Sequence, residues 1–213
     1  MPNSSRAGPS LTEHVNTAMR RISPWAFYII AAVYGSALFF AAATGHLGVE
    51  PIEELEHRYG MIALQSVVLG LTVTPLRKHF GINMLKHRRT FGVIAFFFLI
   101  AHVSVWAILD VQSLSRVWAD IVDRPYITIG MAGFLLMLPL GLTSNNYAIK
   151  RLGTALWCKI HKLVYPAAIL GALHYVWLAK GFQIEPLVYL GLVLFLLALR
   201  LPILAPARKT RRA

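Results

Sequence analysis

The chain has 213 residues, of which 57% are hydrophobic and 14% charged, and a formal charge of +12. Soluble domains run at about 45–50% apolar and about 25% charged, so this composition excludes disorder, a collagen-like repeat and an ordinary soluble enzyme. One cysteine, Cys158, excludes an intrachain disulfide framework and a four-cysteine metal site.

In chain order, the sequence predicts a cytoplasmic N-terminal segment over residues 1–24 and then six apolar spans. The spans cover 25–44, 59–76, 91–109, 125–143, 163–178 and 186–205, close to the roughly 20 residues a bilayer crossing needs. They make one all-α membrane domain, a six-helix bundle over 25–205, followed by a basic cytoplasmic tail over 206–213. Ala41-Ala42-Ala43 before Thr44 resembles a signal-cleavage site. The apolar stretch starting at Trp25 is longer than a signal peptide's, which favours an uncleaved helix. Arg200, near one end of the sixth span, is expected to snorkel toward headgroups.

Charge sets the orientation. With the N-terminus cytoplasmic, the outer side holds four of the 21 basic residues (Arg58, Arg116, Arg124 and Lys180) and the inner side the other 17. Both termini are then cytoplasmic. The positive charge is explained by topology and by affinity for anionic lipid. Its scatter over four segments argues against nucleic acid. Neither a Gly-x-Gly-x-x-Gly nor a Gly-x-x-x-x-Gly-Lys-Ser/Thr stretch is present, so nicotinamide binding and nucleotide hydrolysis are not expected.

Ionisable residues inside spans are costly and point to function. No Asp or Glu falls within a span, but His102 lies in the third and His174 in the fifth. Neutral imidazole is a good iron ligand. His102 stands 11 residues beyond Phe91, roughly 16 Å along a helix, and His174 stands 13 residues beyond His161, roughly 19 Å. Both spans run outward, so the two imidazoles fall at one level in the outer half and can hold a haem between helices. The competing reading is two unrelated histidines bonded to neighbouring polar groups.

His161, at the inner mouth of span five, marks a second level, as a transmembrane electron relay requires. On an ideal helix its ring is roughly 140° from that of His174, and Pro166 between them allows a kink. His87 is a candidate partner for His161, although Lys86-His87-Arg88-Arg89 also reads as a solvated loop. His57, in Glu56-His57-Arg58-Tyr59-Gly60, can lie near the outer haem or contact a quinone or partner. His14, His46 and His79 read as solvated, and Cys158 as inert.

The residues together resemble the MsrQ (YedZ) family, the haem-binding membrane subunits of the periplasmic protein-methionine-sulfoxide reductase system. The landmarks are Glu56-His57 with Gly60, Thr74-Pro75-Leu76, Arg88-Arg89 with Gly92, and Ala101-His102. They continue with Arg124-Pro125-Tyr126, Thr128 and Gly130, Arg151-Leu152-Gly153 with Trp157, His161 with Val164-Tyr165, and His174-Tyr175 with Trp177. The resemblance implies a ferric-reductase-like transmembrane fold in the bacterial inner membrane, one or two b-type haems, and FMN. It implies electrons taken from the quinone pool and passed to a periplasmic molybdenum-cofactor reductase, MsrP, that repairs oxidised envelope methionines. His102, His161 and His174 fall on the family's haem-associated histidines and His57 on another family histidine, whereas His87 has no counterpart. The chain is expected to carry electrons rather than to catalyse on its own. A ferric-reductase-like protein fed by a separate flavin reductase is the nearest alternative. A transporter lacks the expected buried acids and repeats, and a passive anchor leaves His102 and His174 without a reason.

Overall fold

Proline and serine set several helix starts in this chain. Ser23 precedes Pro24, and Pro51 and Pro125 each occupy a first helical turn, where a missing N–H costs nothing. The structure, a computed structural model, describes residues 10–179 and 182–200. Those residues form α1 (Leu11–Arg21), α2 (Pro24–Ala43), α3 (Pro51–Phe80), α4 (Leu85–Ser104) and α5 (Leu114–Asp123). They continue with α6 (Pro125–Thr143), α7 (Asn146–Ile160), α8 (Val164–Leu178) and α9 (Ile184–Ala198). No strand occurs among the described residues.

Among the described residues, four stretches are long and apolar enough to cross a membrane: α2, α3, α6, and α4 extended to Asp110. They coincide with the first four predicted spans, although α3 runs well past both ends of 59–76. The fifth and sixth spans correspond to α8 and α9, each 15 residues long. That is about 22 Å of helix, less than the roughly 30 Å hydrocarbon core. Residues 201–205 of the sixth span, the tail at 206–213 and residues 1–9 lie outside the described residues, as does Lys180.

Three helices lie largely outside the predicted spans. α1 starts at a reciprocal cap in which the Glu13 amide donates to Ser10 Oγ and the Ser10 amide to Glu13 Oε2. α5 exposes Leu114, Trp118 and Val122 on one face at four-residue spacing, the pattern of a helix lying along a membrane interface. α7 carries a sharp bend at Gly153, whose φ of 75° and ψ of 155° are open almost only to glycine.

The bundle is held by small and aliphatic residues rather than by long polar ones. Ala168 and Ala172 of α8 pack with Val68 and Leu71 of α3 and Val193 and Leu196 of α9. On its other side, Ala167 meets Ala95 of α4 and Met137 and Leu140 of α6. Small residues let helix backbones approach closely where lipid supplies no hydrophobic drive. α2 buries only Leu38 and presents Ile29, Ile30, Val33 and Phe40 outward, as a lipid-facing helix does.

Arg200 departs from expectation. It turns into the bundle, donating through Nη2 to the Leu71 carbonyl (2.5 Å) and through Nη1 to the Tyr165 hydroxyl (3.1 Å). Pro75 explains why an acceptor is free there: lacking an N–H, it leaves the Leu71 carbonyl without its helical donor.

Candidate functional site

α4 and α8 bring His102 and His174 together. Their ring centres are 6.3 Å apart and their planes cross at 73°. Each ring is fixed in the same way from a different neighbour. His102 Nδ1 lies 2.9 Å from the Glu56 carbonyl of α3, and His174 Nδ1 lies 2.7 Å from the Tyr126 carbonyl of α6. A carbonyl only accepts, so each Nδ1 carries the proton and each Nε2 keeps its lone pair. An outer hydrogen bond of this kind fixes tautomer and orientation in metal-ligating histidines.

Both cradles use a glycine four residues past the accepting carbonyl. A Cβ on Gly60 would sit 3.1 Å from His102 Nδ1, and one on Gly130 only 2.8 Å from His174 Nδ1. The imidazoles therefore lie directly on the backbones of α3 and α6. Just beyond His102, α4 widens into a π-helical turn, Val105–Asp110, in which the Val111 amide donates to the Trp106 carbonyl. Such turns often occur at functional positions.

The pair fits a haem iron and fits a bare metal ion poorly. Among the described residues, no group of three or more His, Cys, Asp or Glu could hold a metal. A porphyrin supplies four ligands itself and needs two axial ones. Two imidazoles bound from opposite sides at about 2.0 Å each bring their ring centres to roughly 6–6.5 Å, and the observed 6.3 Å falls there. Both rings remain partly exposed.

The other predicted residues occupy separate places. His57 is exposed one residue beyond the Glu56 carbonyl, with its ring 5.7 Å from that of Tyr175, the neighbour of His174. It borders the pair without joining it. His161 is stacked on Trp157, ring centres 3.8 Å apart, and its Nδ1 donates to the Trp157 carbonyl at 3.0 Å. Its Nε2 is 3.4 Å from Ser144 Oγ. Burial holds the His161 pKa below its ordinary value; the Trp157 carbonyl opposes this and the Arg88 charge reinforces it. His161 also lies off the regular helix, because the 3-10 turn His161–Leu163 joins α7 to α8. The 140° expectation therefore does not apply, and Pro166 sits harmlessly in the first turn of α8.

His87 is not solvated. It is fully buried, Nε2 donates to the Met19 carbonyl of α1 (3.0 Å), and its ring packs edge-on to Phe27. These contacts tie the start of α4 to the end of α1 and to α2. The His87 Nδ1 is buried without a partner among the described residues. Sequence reasoning missed the two carbonyl–glycine cradles and the Trp157 stack. The four-residue spacings Glu56 to Gly60 and Tyr126 to Gly130 were in plain view. Only the positions of α4 and α8 show what they are for.

Comparison with known proteins shows the family to which the chain belongs. The family described as ferric reductase like transmembrane component matches residues 59–172. A protein of Agrobacterium fabrum, described as the protein-methionine-sulfoxide reductase heme-binding subunit MsrQ, is 42% identical over 192 residues, covering 89% of each chain. The MsrQ of Brucella anthropi is 40% identical over 178 residues, covering 83% of this chain and 80% of its own. That of Brucella ovis is 40% identical over 189 residues, covering 88% and 84%.

Proposed function

We propose a transmembrane electron-transfer function for this chain, which belongs to the ferric-reductase-like transmembrane family and to the MsrQ haem-binding subunits. The observation that carries the proposal is the His102–His174 pair, 6.3 Å apart with both Nδ1 atoms committed to carbonyls. The two free Nε2 atoms would hold the iron of a b-type haem. Haem, when bound, supplies a one-electron carrier.

The chain's own residues do the rest. The Glu56 and Tyr126 carbonyls hold each imidazole in one tautomer and one orientation. The surrounding apolar helices exclude water and keep the local dielectric low. His57 and Tyr175 border the pair, on the side from which a partner would approach. His161 on Trp157 is the inner way-station and a second ligating position. His87, engaged with α1, is left out of the relay.

The remaining parts rest on the family resemblance. The electron donor is the quinone pool, and the acceptor is the periplasmic molybdenum-cofactor subunit MsrP of a methionine sulfoxide reductase. The chain sits in the bacterial inner membrane with α2, α3, α4, α6, α8 and α9 as six spans and both termini cytoplasmic. FMN belongs to the same reading, with no residues assigned to it.

Substitution tests the proposal. His102→Ala and His174→Ala are each expected to remove most bound haem while the chain still inserts and elutes as wild type. Full haem retention in both variants would contradict the assignment.

A further inference from the structure

Arg200 is held at one place by the gap that Pro75 leaves in α3. Both its Nη atoms are engaged, with the Leu71 carbonyl and the Tyr165 hydroxyl, and its guanidinium lies 5.2 Å from the centre of the Tyr165 ring. Its Nε is buried and has no partner among the described residues. This fixed cation borders a cavity of about 290 Å³ that Thr74, Lys78, Arg88 and Leu199 also line. Three cations thus converge from α3, α4 and the end of α9, and no acid among the described residues lines the space. The ion pairs Arg58–Glu54 and Arg124–Asp120 lie at the opposite end of the bundle.

Like charges gathered beside a low-dielectric bundle repel one another unless an anion lies between them. The best match is a phosphate group. It carries enough negative charge for several cations, accepts several hydrogen bonds at once, and suits both guanidinium and ammonium donors. The Thr74 hydroxyl adds a neutral polar group to the wall. We infer that this cavity is a binding site for a phosphate-bearing anion, offered either as an anionic lipid headgroup or as soluble phosphate. It lies at the basic end of the bundle, away from the His102–His174 pair, and its test reads phosphate and lipid rather than haem, so its failure is distinguishable from that of the electron-transfer proposal.

The test uses the full chain in phosphatidylcholine nanodiscs. Inorganic phosphate is titrated and followed by phosphorus NMR. In parallel, phosphatidylglycerol is mixed into the nanodiscs and its retention is counted by native mass spectrometry. Lys78→Gln with Arg88→Gln is compared with Arg77→Gln with Lys150→Gln, which removes two exposed basic-end cations outside the cavity. Loss of charge-assisted hydrogen bonds is expected to weaken binding about tenfold or more in the first pair, with little change in the second. Phosphate binding identifies a soluble source, and phosphatidylglycerol retention alone identifies lipid. Either supports the site. Wild type that binds neither probe, or equal weakening in the two pairs, would overturn it, because surface charge alone would then account for any affinity.

Discussion

A single methyl group tests the histidine cradles. Gly130→Ala places a Cβ 2.8 Å from His174 Nδ1, closer than real Cβ contacts come, whereas Gly60→Ala places one 3.1 Å from His102 Nδ1, where a small shift suffices. Gly130→Ala is therefore expected to lower haem per chain and to alter the electron-paramagnetic-resonance signature of the oxidised iron. Gly60→Ala is expected to do the same more weakly. The reverse order, or two unperturbed spectra, would show that the rings do not need those backbones. His102 and His174 were legible in the sequence because an ionisable group in an apolar span needs a reason. His87 was not. Set in a run of basic residues, it looks solvated, and only the docking of α1 shows it fully buried. Arg200 misled for the same reason: Pro75, 125 residues earlier, supplies its acceptor.

The helices that were predicted are those whose apolar length alone defines them. α6 has the predicted bounds, and α2 differs by one residue at each end. The helices that were missed, α1, α5 and α7, are short and amphipathic and depend on what they lie against. α1 is tied down at several points: Asn16 Nδ2 donates to the Gly81 carbonyl, the Asn83 amide donates to Asn16 Oδ1, and Lys86 Nζ donates to the Arg20 and Ile22 carbonyls. The two Lys86 bonds satisfy carbonyls left open at the end of α1. With roughly 1 kcal/mol per bond, Asn16→Ala together with Lys86→Ala is expected to raise amide exchange across 11–21 while haem content stays at wild type. Unchanged exchange would mean that α1 is held by packing alone. At Gly153, where φ is 75°, substitution by alanine is expected to cost about 1–3 kcal/mol of local strain. A falling thermal midpoint with the outer haem spectrum intact would confirm that the bend serves only the α7 end. An altered outer spectrum would show that the two ends are coupled.

At the scale of the molecule, the distribution of charge carried more information than span length. Basic residues gather at the end holding the α3–α4 and α6–α7 turns, and most acids lie at the other. The 15-residue lengths of α8 and α9 leave the last two crossings to be settled by topology. Cysteine labelling in a Cys158→Ser background decides this. Glu50→Cys and Ser115→Cys are expected to react with an impermeant reagent from the periplasm, and Lys150→Cys only after the membrane is opened. Labelling of Lys150→Cys in intact cells would invert or reduce the six-span arrangement. Why the site lies where it does also becomes clear at this scale. α8 packs against α3, α6 and α9 through alanines, and that close approach carries His174 to the Tyr126 carbonyl and to His102. Sequence spacing gave the matched depth of the two histidines. Their facing each other depends on helix rotation, which spacing along one chain does not encode.

The most direct measurement is the optical spectrum of the purified, detergent-solubilised chain, oxidised and then reduced with dithionite, with haem quantified per chain. Two axial imidazoles predict a low-spin b-type spectrum with sharp reduced α and β bands, and these bands are expected to be lost in His102→Ala and in His174→Ala. A chain isolated without haem from cells able to supply it, or a spectrum indifferent to both substitutions, would contradict a haem held between α4 and α8.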